Sequence, residues 1–290
     1  MGAGSSSDDG TTSRYEIHRD DLLDILFEAV KSNVAFAFGQ SITRIDDGPH
    51  GATVTLDDAS RRDYHLVCGC DGNRSNTRRL VFGEGEASVH FMGGYFFLKV
   101  VPNTDLLPAN MSQVYSAPGR TAMLNGYDDR TDIGLMFRTD RQIAYDYRDR
   151  AAQRRLLHEH FDGLGWKTPA MLEHIDADDD FYFDRVNQIR MPAWSKGRVI
   201  LVGDAGYCVS PLAGAGGSMA IIGACRLAQA MQQHGEDHTA AFRAYEEGLR
   251  PFVEVVQERA ATAGMSIMVP SDEAALAERD RKLRTGEIDL

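Results

Sequence analysis

The chain has 290 residues, of which 43% are hydrophobic and 26% charged, and a formal net charge of -12. That length supports one large domain or two modest ones around a sizeable core. The acidic balance and the lack of a dense Lys/Arg cluster argue against a nucleic-acid binder. No run approaches the ~20 apolar residues of a membrane span.

Ordered structure is expected from about residue 14. Residues 1–13, rich in Gly, Ser, Asp and Thr, read as a flexible tail and not as a signal peptide. Residues 20–30 carry Leu22, Leu23, Ile25, Leu26 and Ala29 at helical spacing after an acidic start. The apolar run 34–38 predicts a short strand. Residues 42–45 and 53–56 flank a DGPHG turn and predict a hairpin. Residues 65–70 read as a buried strand entering Asp71-Gly72. Strands at 91–101, 113–116, 121–125 and 133–138, separated by Pro, Gly and Asp turns, predict an antiparallel sheet. Helices at 151–161 and 169–175 and a strand at 181–189 follow. Residues 199–202 form a β-branched strand between Gly197 and Gly203. After a glycine-rich loop come an apolar helix over 218–233 and an amphipathic one over 239–264, bent near Gly248 or Pro251. The charged tail from Ser271 reads as a frayed helix.

Cys68, Cys70, Cys208 and Cys225 are the four cysteines. No His/Cys pair stands at zinc spacing, and a disulfide scaffold does not suit this length. All four are expected to be reduced packing residues in a cytoplasmic setting. His158 and His160 read as solvent or interface residues, and the acidic run 178–180 as a solvated turn.

The strongest chemical signal is GRVILVGDAG at 197–206, continuing to Pro211 and GAGG at 214–217. It reads as a buried strand, a carboxylate at the strand's carboxyl end, and a glycine-dense turn opening a helix. Ligands of open α/β sheets bind beyond the carboxyl ends of the strands. Free N–H groups at a helix start attract oxygen-bearing ligand atoms. Asp204 can accept from sugar-like hydroxyls, and the glycines let backbone approach a flat ligand. A tight turn with a capping aspartate is the alternative reading.

This segment resembles the second flavin-binding motif of the class A FAD-dependent monooxygenases, the para-hydroxybenzoate hydroxylase fold family. Its pattern, G-D-A, then proline, then G-x-G, is met by Gly203, Asp204, Ala205, Pro211, Gly214 and Gly216. The resemblance implies that Asp204 contacts the ribityl or pyrophosphate part of FAD. It also implies that Pro211 and the backbone of Gly214, Ala215, Gly216 and Gly217 lie against the isoalloxazine ring. Tyr207, Ala215 and Ser218 stand where the family often has His, Gln and Asn.

CDGNRSNTR at 70–78 resembles the family's D-G-x-x-S-x-x-R motif, linked there to FAD and NADPH binding. Asp71 ends the strand, Ser75 can cap a short helix, and Arg78 can bind phosphate or brace Asp71. EIHRDDL at 16–22 resembles the helix start where the family sets an arginine against the flavin. Arg19 offers a planar cation there, or else a plain helix-terminal charge. The order Arg19, Asp71, Asp204 matches the family, and the tetracycline-destructase-like branch fits the Arg19 segment and the glycine loop best.

The family normally opens with a strand, G-x-G-x-x-G and a helix that hold the ADP half of FAD. Here Gly2 and Gly4 have no strand before them and Ser7 replaces the third glycine, so that fingerprint is not recognised. Three explanations stand open: a truncated gene product; completion by self-association or another polypeptide; or a flavin-free member acting as a non-redox enzyme or binding protein. Missing central strands would expose apolar surface near 199–202 and 66–70.

The expected fold is α/β. A partial glutathione-reductase-like FAD/NAD(P)-binding domain covers 14–88 and 190–233. It is interleaved with an antiparallel substrate-binding sheet over 89–189, and C-terminal helices and a charged tail fill 234–290. On that sheet Phe97, Met111, Tyr115, Met123 and Met136 are candidates to line a pocket for an aromatic or polyketide-type ligand, with core packing as the alternative. The resemblance implies hydroxylation that uses FAD, NAD(P)H and O2, with the flavin supplying the chemistry. No catalytic side chain or metal is expected.

Overall fold

A computed structural model describes residues 17–83, 88–102 and 104–288, so the expected tail at 1–13 and Glu16 lie outside the described residues. Helix α1 (Arg19–Val30) comes first. The hairpin strands β1 (Ile42–Asp47) and β2 (Ala52–Leu56) are joined by β3 (Arg61–Tyr64) in a three-stranded antiparallel sheet. Strand β4 (Val67–Gly69) leads into α2 (Asn76–Phe82), whose start is capped by Ser75 accepting from the Arg78 N–H. Strands β5 (Val89–Pro102), β6 (Met111–Ala117), β7 (Arg120–Gly126) and β8 (Arg130–Arg138) are followed by helices α3 (Arg150–Phe161) and α4 (Thr168–Asp176). Strand β9 (Tyr182–Ile189) then completes an antiparallel sheet in the order β6-β7-β8-β5-β9.

The short β10 (Ser195–Lys196) turns into β11 (Val199–Leu201), which runs parallel to β4. Helix α5 (Asp204–Tyr207), a 3-10 turn at Pro211–Ala213 and α6 (Gly216–His234) follow. Helix α7 (His238–Arg259) passes through Pro251 and widens into a π turn over Ala260–Gly264. It runs on as α8 (Met265–Met268), and α9 (Glu273–Arg284) is last.

The five-stranded sheet is covered on both faces. In register, Tyr95 pairs with Phe137 and Phe97 with Phe183, so these rings leave one face together. They pack with Leu157 and Phe161 of α3 and Met171 and Ile175 of α4. Tyr95 stacks between Phe137 at 5.2 Å and Phe183 at 5.6 Å. Each such ring, fully buried, stabilises the fold by roughly 1.5–3 kcal/mol. The opposite face carries Phe96, Met123, Met136 and Val186, and meets Leu212, Met265 and Val269.

Several expectations shift. Residues 34–38 form no strand, and Phe36 and Phe38 stack on the surface at 5.7 Å. The charged segment Arg61–Tyr64, not expected as a strand, pairs with β2. The acidic run at 178–180 is not merely solvated: Lys99 pairs with Asp178, and Arg154 with Asp179 at 2.6 Å. Ile200, Leu201 and Val202 are buried against α6 and α7, and Val199 against Ala52, Val54 and Val67. Of the two segments expected to be exposed, only 66–70 is, at Cys68 on the edge strand β4 and at Cys70 just beyond it. Cys225 is also exposed, so Cys208 alone packs in the core. All four thiols are free.

Candidate functional site

Strands β4 and β11 run side by side, with Ile200 opposite Cys68 and Leu201 opposite Gly69. Both therefore end at one edge, and the Asp71 and Asp204 loops emerge next to each other. Gly69 is required there, because a Cβ would come within 2.8–2.9 Å of Thr77 and Leu201. Gly203 is required for a different reason: its φ of 65° lies in the left-handed region that favours glycine.

The Asp71 carboxylate accepts from the Ser75 hydroxyl and, at 2.8 Å, from the Thr77 N–H. It thus fixes the start of α2. Arg78 does not brace Asp71 by hydrogen bonding. Its guanidinium donates to the Ala205 carbonyl at 2.8 Å and the Asn73 carbonyl at 2.7 Å, tying the two loops together. A second tie runs through β9. Buried Asp184 accepts from Arg74 at 2.5 and 3.2 Å, and Asn73 and Asn187 exchange hydrogen bonds at 2.8 Å.

Burial pushes the Asp204 carboxyl up, opposed by a hydrogen bond from the Cys208 thiol and by the charge of Arg19. Behind the Asp204 loop, the Tyr245 hydroxyl lies 2.9 Å from the Tyr207 hydroxyl and 3.3 Å from the Leu201 carbonyl. Trp194 packs on Tyr207 with centroids 4.4 Å apart.

Beyond Pro211 the chain turns through Gly214, whose φ is 60°. Helix α6 then starts at Gly216 with Ala215 as N-cap and no side-chain cap. A Cβ at Gly214, Gly216 or Gly217 would meet nothing within 4 Å. These glycines face open space, and no neighbouring protein atom requires their small size. An uncapped helix start beside such a cradle suits the oxygen and nitrogen edge of a flat ring. The half-buried Asp204 next to it suits a polyol chain. Both features fit FAD.

The expected pocket residues divide between the two sheet faces. Met123 and Met136 lie on the face that meets Leu212 of the glycine loop. Phe97, Met111 and Tyr115 lie on the other, as core under the helices, with Tyr115 stacked on Trp166 at 5.7 Å. Strand alternation explains the split, since Phe96 and not Phe97 shares a face with Met136. Tyr182, 6.2 Å from Phe96 and within reach of the Asp204 charge, also belongs to the loop side. A cavity of about 740 Å³ lies behind α5, lined by Trp194, Tyr207 and Arg250, and does not open on the glycine loop residues. No group of three metal-binding side chains occurs among the described residues, and no described helix is long and apolar enough to cross a membrane.

Known proteins carry the same architecture. The FAD binding domain family matches residues 8–260. A flavin-dependent monooxygenase from an unknown prokaryotic organism is 35% identical over 266 residues, covering 90% of this chain and 67% of that protein. The FAD-dependent monooxygenase asL6 of Sarocladium schorii is 31% identical, covering 86% of this chain and 64% of its own length. The crystal structure of the tetracycline destructase Tet(51) superposes with a TM-score of 0.81 at 33% identity, over 92% of this chain and 72% of that one. The chain belongs to the FAD-binding family of flavin-dependent monooxygenases. It spans about two thirds of the length of the curated relatives it matches.

Proposed function

We propose that this chain serves an FAD-dependent monooxygenase reaction that uses NAD(P)H and O2 to hydroxylate an aromatic or polyketide-type small molecule. The observation that carries the reading is the start of α6. Three glycines there face open space at an uncapped helix start, beside the ends of two parallel strands.

FAD, when bound, supplies the electron transfer and the oxygen chemistry. The protein's own groups bind and orient. Asp204 would accept from the ribityl hydroxyls, with the Arg19 charge favouring its ionised form. Pro211 and the backbone of Gly214, Ala215, Gly216 and Gly217 would hold the ring, and the free N–H groups at the start of α6 would donate to its oxygen-bearing edge. Asp71 and Arg78 act by holding the two loops in place. On the sheet face toward Leu212, Phe96, Met123, Met136 and Tyr182 form the apolar wall of the substrate space and exclude water. The likeness to a tetracycline destructase supports a multi-ring ligand, antibiotics included. Four free thiols support a reducing cytoplasmic setting.

Incubating the purified chain with FAD, desalting it and recording the visible spectrum tests the reading. Flavin absorbance that stays with the wild type and is lost in Asp204→Ala is the expected result. A folded wild type that retains no flavin overturns it.

A further inference from the structure

The sheet face toward Leu212 is apolar along most of its length and ends in a cation. Met123 stands opposite Gly134, and Thr121 and Phe96 stand on either side of Met136. Two residues further along β8, on the same face, comes Arg138, opposite Gly94. At ~3.3 Å per residue it lies roughly 7 Å beyond Met136. Its Nε donates to the Val269 carbonyl at 2.6 Å, which fixes the half-buried side chain, and no ion pair among the described residues involves it. Arg138 lines a pocket of about 300 Å³ with His90, Met92, Thr262, Met265 and Ser266. The Thr262 hydroxyl donates to the Glu258 carbonyl, so Ser266 and His90 are the polar groups left to serve the pocket with Arg138.

Met265 lines this pocket and also belongs to the apolar cluster of Met136, Phe96 and Leu212, so its side chain is the wall between the two. It lies over Gly94, where a Cβ would come within 2.7 Å of the Met265 Cε. The neighbouring Gly93 has a φ of 84° and falls in the break of the β5–β9 register between Phe91 and Tyr95. The sheet is thus bulged where Met265 is seated, a device common beside binding sites. The backbone that follows Met265 is pinned to the sheet. The Met268, Val269 and Pro270 carbonyls accept from the Thr121 hydroxyl at 2.6 Å, Arg138 at 2.6 Å and the Gly119 N–H at 2.7 Å. The Met265 side chain is unbranched, with three rotatable bonds, and can change rotamer without moving that backbone.

We propose that Met265 is a movable partition, and that with it displaced the sheet face and the Arg138 pocket form one site for a fused-ring acid. The rings lie along Phe96 and Met136, and a carboxylate, phenolate or enolate oxygen at the ring edge meets Arg138. A guanidinium already held through Nε presents its remaining N–H donors in a fixed plane, which favours an anionic oxygen over a neutral one. The assignment deepens the monooxygenase reading and rests on it for placing the substrate on this face.

The test titrates the flavin-free 290-residue chain with anthraquinone-2-carboxylate and with its neutral counterpart, 2-(hydroxymethyl)anthraquinone, by calorimetry. Wild type, Arg138→Gln, Met265→Ala and Met265→Ile are compared, with a cooperative thermal transition as the check on folding. Wild type is expected to bind the carboxylate about tenfold tighter than the alcohol, the ratio that one charge-assisted hydrogen bond supplies. R138Q should lose that preference and keep its binding of the alcohol. M265A, with the partition removed, should bind both probes more tightly than wild type, and M265I, with a stiff branched side chain, less tightly. A folded wild type that binds neither probe, or both equally, overturns the site, as does a preference that survives in R138Q. Binding by M265A and M265I that matches wild type overturns the partition. If R138Q does not fold, phenylglyoxal modification of wild-type Arg138, read by peptide mass spectrometry, decides instead. Protection by the carboxylate and not by the alcohol is expected, and equal modification with and without the carboxylate overturns the site. FAD retention by the same sample reports on the monooxygenase reading separately, so the two can fail independently.

Discussion

The Tyr245 hydroxyl donates to the Tyr207 hydroxyl across 2.9 Å, and the pair backs the short helix that presents Asp204. The contact is possible because Gly223 of α6 leaves room for the Tyr207 hydroxyl. A Cβ at Gly223 would fall far inside contact distance of that oxygen and 3.1 Å from Cζ. Gly223→Ala is expected to cost roughly 1–3 kcal/mol through overpacking. Tyr207→Phe in the same chain should return part of that loss. Urea denaturation of the two single variants and the double variant forms the cycle, and strictly additive losses would show that the two side chains do not compete for space.

A second variant addresses the tie between β9 and the Asp71 loop. Asp184→Asn withdraws the charge that Arg74 pairs with and weakens the clasp on Asn73. Breaking a fully buried pair costs about 3–5 kcal/mol. Arg74 keeps 35% of its side chain in solvent, so the expected loss is smaller, about 2 kcal/mol. Denaturation midpoints measure it. An unchanged midpoint would mean that Arg78 and the Asn73–Asn187 pair hold the loop without the Asp184 charge.

Helices α3 and α4 are clasped by His158, which meets Asp162 at 2.8 Å and Asp176 at 3.2 Å. The Asp162 hydrogen bond, then Asp176, raises the His158 pKa above its ordinary 6.5. A raised folded-state value means that the protonated form stabilises the fold. That contribution is complete below the unfolded value and is lost as pH rises through the folded one. The melting temperature of wild type should therefore exceed that of His158→Gln by more at about pH 5.5 than at about pH 8.5. A gap that stays constant with pH would rule the clasp out as a pH-dependent contact.

Gly217 separates folding from ligand binding. Nothing in the protein lies near a Cβ there, and glycine in a helix is less stable than alanine by about 0.8–1 kcal/mol. Gly217→Ala should melt no lower than wild type. Gly217→Val, with more bulk in the cradle, should lose at least tenfold in FAD affinity, read by flavin fluorescence quenching. Unaltered affinity would move the ring away from α6.

Much of this architecture was legible in the residues themselves. The hairpin turn, the sheet strands and the Gly203-Asp204 loop all announce themselves through local pattern, and Ser75 caps α2 as its spacing suggests. The pocket wall was harder to read. Both faces of the five-stranded sheet are apolar, so alternation alone does not say which side meets the glycine loop; Phe97 packs in the helix-covered core, and its neighbour Phe96 faces Leu212. Asp184 and Tyr245 gave no signal because their meaning lies in partners 38 to 111 residues away. The strand expected at 34–38 failed for want of a neighbour, since an apolar run becomes a strand only where another strand accepts its hydrogen bonds.

The π turn at 260–264 sets the phase of the last long helix. A π turn amounts to one extra residue in an α-helix, and one residue advances the face by about 100°. Before it, Leu249 and Val253 press on the α5–α6 core; at its end Gly264 lies against Leu212, and after it Met265 lies against Gly94 of the sheet. The Met268 and Val269 carbonyls then accept from Thr121 and Arg138, each at 2.6 Å. One continuous rod thereby serves two surfaces that do not share an orientation. Excising a single residue from the widened turn would keep the rod helical and yet rotate its far end out of mesh with the sheet.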